Sequence, residues 1–271
     1  MYNFVLMTED AITLDGLRLH FRVEGQGPDV LFVHGWASSR RMWAHLTPHL
    51  APAYRCWALD LPGFGDSDKP AGGWYSIANY TALIASFLRA VGVGAARLVG
   101  HSMGGMIALD LAASYPEQVE RLVAINPVVT GDGVSLRRFV GWGPGQRLLD
   151  WSLRLTPLVL LPALSHPVSG RLHHGATYLR RRVEDLTRAT ADSLWHSGRA
   201  TVSHELLPRL AHITAPTLML LGQWDLMLGT RGGRLAAGRI AQARLVVLRA
   251  GHMLTDISPA ETIHHLQGFL A

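Results

Sequence analysis

Short apolar runs recur along this chain, and helical sequence follows most of them. An apolar run of this length without alternation is typical of a strand buried on both faces of a parallel sheet. Strands that alternate with helices predict an α/β fold, with a mostly parallel central sheet flanked by helices. The runs are DVLFVHG (29–35), YRCWALD (54–60), AARLVG (95–100), VERLVAIN (119–126), APTLMLLG (215–222) and ARLVVLRAG (243–251).

The remaining elements near the start of the chain fit the same layout. AITLD and LRLHFRVEG alternate apolar and polar residues and predict a hairpin. Helical periodicity predicts helices around residues 39–50, over SIANYTALIASFLRAVG and over residues 103–115.

A long stretch without a strand pattern interrupts the alternation between residues 127 and 214. It contains helical pieces such as GQRLLDWSLRL and EDLTRATADSLWHSG. A connection of this length within an α/β sheet is not a plain loop, so we predict an inserted helical cap over one end of the sheet. The predicted division is a cap of residues 129–204 and an α/β core of residues 1–128 and 205–271.

The net charge of +5 is concentrated in the predicted cap. Residues 131–200 hold ten arginines against five acidic residues. The densest run, LRRRVEDLTR, alternates in sign, which favours a solvated helix face. The alternative is that these arginines meet an acidic carrier protein or an anionic substrate. No basic and aromatic interleaving and no nucleic-acid motif accompany them, so the sequence argues against nucleic-acid binding.

The single cysteine and the apolar segments indicate in which cellular compartment the protein is expected. Cys56 excludes an intramolecular disulfide, and its apolar neighbours predict a buried structural thiol. The first residues, MYNFVLMTEDAITLDG, contain no basic side chain and do not suit a signal peptide. The run TPLVLLPAL is about half of a membrane span and is interrupted by Pro162. We therefore expect a cytoplasmic protein without membrane insertion.

Gly100, Ser102 and Gly104 form a G-x-S-x-G pattern. The pattern alone is weak, but here it directly follows a predicted buried strand and opens a predicted helix. A nucleophilic serine needs this context, because it occupies a strained turn whose small neighbours let strand and helix approach closely. The alternative, a helix-capping serine, would not require glycine on both sides. The pattern therefore predicts that Ser102 is a nucleophile.

Two later strand ends offer a base and an acid. His252 follows the last predicted strand, and Asp225 lies at the end of the strand before it. A serine hydroxyl needs a base and an orienting carboxylate, and the carboxyl ends of parallel strands are where α/β sheets place ligands. The rival Asp256 is expected to serve a local turn, beside a capping box formed by Ser258 and Glu261.

The order serine, aspartate, histidine resembles that of the α/β-hydrolase family. This resemblance implies the α/β-hydrolase fold with a cap, and it implies that the backbone N–H groups of Trp36 and Met103 form an oxyanion hole. His34 is expected to support the loop rather than to take part in catalysis. The motifs that carry the resemblance are FVHGWASS, LDLPGFGDSDKP, GHSMGG, LLGQWD and AGHM.

The resemblance implies a serine hydrolase. Ser102 argues against the haloalkane dehalogenases and epoxide hydrolases of the family, which use an aspartate nucleophile. Ring-fission C–C hydrolases usually carry asparagine before the serine and tryptophan after the histidine, where this chain has His101 and Met253. Carboxylesterases and haloperoxidase-like esterases commonly carry GHSMGG. We favour hydrolysis of carboxylic esters of small to medium acyl chains through an acyl-enzyme. C–C cleavage, lactone or thioester cleavage and a non-catalytic receptor-type protein stay open.

An apolar chamber under the cap would suit a short or medium acyl chain. Any one of the candidate side chains could instead be ordinary core packing. No metal-ligand spacing occurs in the sequence, so neither a metal nor a cofactor is expected. The candidate lining residues are Trp36, Phe64, Trp142, Trp151, Leu158, Leu160 and Trp195.

Overall fold

An eight-stranded sheet organises the computed structural model, which describes residues 7–130 and 175–271. The strand order across the sheet is β1-β2-β4-β3-β5-β6-β7-β8. The strands are β1 Met7–Leu14, β2 Leu17–Glu24, β3 Asp29–Val33, β4 Arg55–Leu59, β5 Ala96–His101, β6 Val119–Ile125, β7 Thr217–Gly222 and β8 Ala243–Leu248. Five of the six apolar runs singled out in the sequence contain one of these strands, and β5 extends one residue beyond its run, to His101, which confirms the predicted α/β fold.

The predicted hairpin is also confirmed. Strands β1 and β2 pair antiparallel, and the turn between them consists of Asp15 and Gly16, both with positive φ. This backbone matches the twist of the flanking strands, and an Asp-Gly pair adopts it at little cost. Strand β2 pairs antiparallel with β4, whereas the pairs from β4 to β8 are parallel.

Helices connect the parallel strands and cover the sheet. Short 3₁₀ segments add to them at Arg40–Trp43, Gly72–Trp74, Pro116–Gln118 and Leu207–His212. The α-helices are α1 Thr47–Leu50, α2 Ile77–Ala90, α3 Met103–Ser114, α4 Gly175–Arg188, α5 Ala191–Ser203, α6 Arg231–Ala237, α7 Leu254–Ile257 and α8 Pro259–Leu270.

Two predicted helices are broken in the structure. The stretch predicted around residues 39–50 divides into the 3₁₀ turn Arg40–Trp43 and the short α1. Pro48 explains the break, because proline has no N–H to donate and its ring clashes with the carbonyl one turn earlier. The piece EDLTRATADSLWHSG divides between α4 and α5, because Thr190 forms a capping box with Ser193 and starts a new helix.

The core lies on both faces of the sheet. Alternate residues of β3 point to opposite faces, so Leu31 belongs to the cluster that contains side chains of α2 and α3. Phe32 belongs to the second cluster, with side chains of α1 and α8. Cys56 lies in this second cluster, and burial raises the pKa of its thiol to about 12. The prediction of a buried structural thiol is confirmed.

Part of the predicted cap lies outside the described residues. Helices α4 and α5 fall within the predicted cap limits 129–204, but GQRLLDWSLRL, with the residues on either side of it, is not described. The division into core and cap stays a prediction. No helix in the two described ranges is long and apolar enough to cross a membrane. The predicted cytoplasmic location is not tested by this finding.

Candidate active site

Ser102 occupies a strained turn between strand β5 and helix α3. Its φ of 55° and ψ of −117° lie in a region that residues with a side chain rarely adopt. Two glycines make the turn possible, because a Cβ on Gly100 would overlap the carbonyl of Gly104 and a Cβ on Gly104 would overlap that of Val33. The Ser102 side chain makes no capping hydrogen bond to helix α3. The geometry fits a serine held on a sharp elbow and not the capping alternative.

The structure brings Ser102, His252 and Asp225 together at the carboxyl edge of the sheet. The distance from His252 Nε2 to Ser102 Oγ is 3.1 Å, and that from His252 Nδ1 to Asp225 Oδ2 is 2.7 Å. The carboxylate can only accept, so Nδ1 carries the proton and donates it. His252 Nε2 is then free to accept a proton from the serine hydroxyl.

Two backbone N–H groups also donate hydrogen bonds to Asp225. Its Oδ1 accepts from the N–H groups of Met227 at 2.9 Å and Leu228 at 3.0 Å. Burial by itself raises the pKa of the Asp225 carboxyl, but the hydrogen bond and charge of His252 and these two N–H donors outweigh it. The net pKa is lowered, so the carboxylate stays ionised beside the imidazole.

Two residues that the sequence analysis did not select hold the loop of His252. His101 Nε2 lies 2.9 Å from the carbonyl oxygen of His252, and Asn126 Nδ2 donates to the same oxygen at 2.8 Å. Asn126 Oδ1 accepts from the N–H of Gly222 at 2.7 Å, which links this loop to the end of β7. The sequence feature that could have identified them is a polar residue at the end of each of two buried strands, β5 and β6.

The loop after strand β3 lies directly against Ser102. A Cβ on Gly35 would lie only 3.0 Å from His101 Nδ1 and 3.1 Å from the Cβ of Ser102, so any larger residue here would force these side chains to shift. Trp36 follows Gly35 and Met103 follows Ser102 in the chain, and the role of their N–H groups as an oxyanion hole stays a prediction. Met103 is the first residue of helix α3, so its N–H has no acceptor within the helix.

His34 supports this loop, as expected. Its Nδ1 lies 2.8 Å from the carbonyl oxygen of Gly35, and its Nε2 accepts from the N–H of Leu61 at 3.0 Å. Burial lowers the pKa of His34 and outweighs the opposing charge of Asp60. The neutral ring therefore bridges the ends of β3 and β4 through one donated and one accepted hydrogen bond.

Comparison with known proteins decides the family. A family model described as the alpha/beta hydrolase fold matches residues 28–259. This chain belongs to the α/β-hydrolase family. The match covers more than half of the chain, and it contains the elbow, the acid loop and the histidine loop.

Individual relatives agree with this assignment. An uncharacterised protein of Mycobacterium tuberculosis is 29% identical over 95% of this chain and 80% of its own length. The pimeloyl-[acyl-carrier protein] methyl ester esterase of Photobacterium profundum is 26% identical over 93% of this chain and 98% of its own length. The crystal structure of a hydrolase from Pseudomonas aeruginosa PA01 aligns with a TM-score of 0.78 at 25% identity, and the alignment covers both chains completely.

The predicted pocket residues of this α/β-hydrolase differ in burial and in the groups that they contact. Phe64 is fully buried, and its ring meets that of His34 edge-on at 5.7 Å between centroids. Trp195 is buried in the same core cluster, and the indole of half-buried Trp36 donates to the carbonyl of Leu194 at 2.9 Å. Their lining role stays a prediction. Trp142, Trp151, Leu158 and Leu160 lie outside the described residues.

Helix α4 presents a contact face to the core, formed by Arg181, Arg182, Asp185 and Arg188. Arg181 donates to both oxygens of Asp256, and neither side chain is more than 8% exposed. The predicted solvated face is therefore wrong for Arg181, although Arg180, at 83% exposure, fits it.

The remaining members of the contact face also meet the core. Arg182 donates to the carbonyl of Ala37, Asp185 accepts from Ser39 Oγ, and Arg188 Nη1 lies 2.9 Å from Asp66 Oδ1.

The role predicted for Asp256 was also wrong. Asp256 pairs with helix α4 rather than serving a local turn, and the Ser258 side chain makes no capping hydrogen bond. A separate ion cluster joins Arg40, the first residue of the 3₁₀ segment Arg40–Trp43, to Glu9, Asp60 and Asp66. Within the described ranges, no group of three or more His, Cys, Asp or Glu side chains could hold a metal ion.

Proposed function

We propose that this α/β-hydrolase cleaves carboxylic esters of small to medium acyl chains through an acyl-enzyme on Ser102. One observation carries the proposal: the imidazole of His252 lies within hydrogen-bond distance of both Ser102 Oγ and Asp225 Oδ2. The strained elbow supports it, because strain of this kind is kept where it serves a reaction.

In the proposed acylation, Ser102 Oγ attacks the ester carbonyl while its proton passes to His252 Nε2. The imidazolium is stabilised by Asp225, whose lowered pKa keeps it negative. The carbonyl oxygen becomes an oxyanion and accepts from the backbone N–H groups of Trp36 and Met103. When the carbonyl reforms, the C–O bond to the alcohol breaks, and the imidazolium gives its proton to the leaving alkoxide.

Deacylation repeats these steps with water. His252 Nε2 takes a proton from the water, whose oxygen attacks the acyl carbonyl, and the oxyanion again forms between the two N–H groups. Collapse of this intermediate breaks the bond to Ser102 Oγ, which recovers its proton from the imidazolium. The products are a carboxylic acid and free enzyme.

The residue before Ser102 favours ester hydrolysis over C–C cleavage. Ring-fission C–C hydrolases usually carry asparagine where this chain has His101, and here His101 is engaged with the His252 carbonyl. The relative from Photobacterium is a methyl ester esterase acting on an acyl-carrier substrate, which supports ester chemistry. An acidic carrier as partner is not favoured for this chain, because Arg181, Arg182 and Arg188 contact groups of this chain.

Labelling by a fluorophosphonate, followed by a panel of p-nitrophenyl esters of increasing chain length, tests the proposal. We expect wild type to be labelled, Ser102→Ala not to be labelled, and short and medium esters to be turned over repeatedly. Turnover of a lactone or of a dienoate ring-fission product much faster than of any ester would overturn the esterase assignment. Labelling with a single burst and no further turnover would favour a binding protein.

A further inference from the structure

Two side chains of the α4 contact face hold the loop of residues 36–39. Arg182 Nη1 donates to the carbonyl oxygen of Ala37 at 2.7 Å. Asp185 Oδ1 accepts from Ser39 Oγ at 2.5 Å, and this pair is buried. Residues three apart share one face of a helix, so both contacts come from a single surface of α4.

The same loop is held from a second side and is itself strained. Helix α5 contributes the carbonyl of Leu194, which accepts from the Trp36 indole. Ala37 has a φ of 53°, a left-handed conformation that a residue with a Cβ rarely adopts. A strained backbone persists only when its surroundings hold it, and here the Ala37 carbonyl is held by Arg182.

The position of this loop matters because it carries one of the proposed oxyanion donors. Gly35 packs against Ser102, and Trp36 follows it directly. An oxyanion donor acts only when it is aimed at the place where the charge develops. The Trp36 N–H belongs to the peptide between Gly35 and Trp36, and the Ala37 carbonyl lies two peptides further along the same short loop. A shift of the loop at Ala37 would therefore rotate the Trp36 N–H away from the oxyanion.

We propose that Arg182 is a positioning residue for ester hydrolysis, which sets the aim of the Trp36 N–H by holding the carbonyl of Ala37. The proposal rests on the function proposed above, and it makes the oxyanion hole depend on docking of the predicted cap. Arg182 acts through the loop backbone and does not contact the reacting atoms.

The charge of Arg182 also acts on two buried histidines near the loop, His34 and His101. Burial is the main cause that lowers the pKa of His34 and, to about 3, that of His101, and the positive charge of Arg182 adds to both shifts. These two rings flank the loop and the elbow.

The test compares Arg182→Met with Arg180→Met on the same helix. Methionine keeps length and helix propensity in both variants. Arg180 is exposed, and its ion pair among the described residues is the local one with Glu184. For Arg182→Met we expect kcat for the best ester to fall about tenfold, since one oxyanion donor is displaced rather than removed, with little change in KM. Arg180→Met should match wild type. Arg182→Lys should recover most of the rate, because a single donor meets a single carbonyl here.

A kcat within about twofold of wild type in Arg182→Met would overturn the proposal. So would an equal fall in Arg180→Met, or a Lys variant no better than Met. If Arg182→Met does not fold, Ser39→Ala breaks the second contact of the same loop, and an unchanged kcat there counts against the proposal.

Hydrogen exchange separates this proposal from the proposed function. Amides of residues 36–39 should exchange faster in Arg182→Met than in Arg180→Met, whether or not the protein turns over esters. Absence of turnover in wild type would refute the proposed function alone, whereas unchanged exchange in Arg182→Met would refute the positioning role alone.

Discussion

The elbow around Ser102 and the contact face of helix α4 both border the candidate site, but different interactions hold them. The elbow is held by close backbone approach, since Gly100 and Gly104 leave no room for a side chain. The contact face is held by paired charges and polar groups, above all the buried pair of Arg181 and Asp256.

This difference separates two kinds of constraint. The elbow is determined by steric exclusion, which a pattern of glycines and apolar residues reveals locally. The contact face is determined by which remote groups satisfy each charge, because a buried charge is costly unless it is paired. The following substitutions test whether the two regions fail in these different ways.

The largest effect is expected for Asp225→Asn, at the triad itself. The amide nitrogen would donate to His252 Nδ1, so the proton would move to Nε2, which could no longer accept from Ser102. We expect kcat to fall about 10⁴-fold while the free energy of unfolding changes much less. Steady-state kinetics and urea unfolding measure both quantities. A loss of less than about tenfold would contradict the role assigned to this carboxylate.

Gly104→Ala tests steric exclusion at the elbow. The added Cβ would overlap the backbone carbonyls of Val33 and His34, which cannot move independently of the sheet. We expect a destabilisation of roughly 4 kcal/mol or failure to fold. Gly268→Ala is the matched control, because that glycine lies in helix α8 with nothing within 4 Å of the new Cβ. It should stabilise the protein by roughly 0.5–1 kcal/mol. Equal effects of the two changes in urea unfolding would refute the steric argument.

Arg181→Met tests the paired charges of the contact face. It leaves Asp256 buried and unpaired, so we expect the free energy of unfolding to fall by about 3 kcal/mol. The double variant with Asp256→Leu should recover much of this loss, because the unpaired charge is removed as well. The same change at exposed Arg180 should cost less than about 0.5 kcal/mol. A double variant no more stable than Arg181→Met would show that the pair's charge is not the determining factor.

The smallest expected effect concerns pH and His101. Burial lowers its pKa to about 3 in the folded protein, against 6.5 for an ordinary histidine, so between these values the unfolded chain binds the extra proton. Stability is therefore fully present above pH 6.5 and is lost as pH falls toward 3. Between pH 7 and pH 5 this histidine should cost about 2 kcal/mol.

His101→Gln should lose correspondingly less stability over the same interval, since glutamine retains a donor for the His252 carbonyl but does not titrate. Urea unfolding at pH 7 and pH 5 measures the difference between the two proteins. Identical losses would show that protonation of His101 does not contribute to acid destabilisation.

Much of the fold was predictable because its strands are buried on both faces. The run DVLFVHG needs no partner to be recognised as a strand, and β3 is found within it. The single helix predicted around residues 39–50 was wrong. The apolar periodicity continues through Pro48, but a proline backbone cannot continue a helix that begins a turn earlier.

At the site, the sequence analysis selected Ser102, Asp225 and His252, which the structure brings within hydrogen-bond distance. It did not select His101 or Asn126 as supports of the histidine loop. Every residue has a backbone carbonyl, so the sequence does not indicate which carbonyl accepts a given side-chain hydrogen bond.

The sequence by itself determined the alternation of strands and helices, the glycines of the elbow and the order of the candidate triad. Apolar burial is non-directional and follows local periodicity, so the sequence alone is enough to infer which residues are buried. Only the tertiary structure decided that Arg181 faces Asp256, 75 residues away, and that Arg182 meets the carbonyl of Ala37. Polar contacts are directional and short-ranged, so their partners depend on where remote segments come to lie.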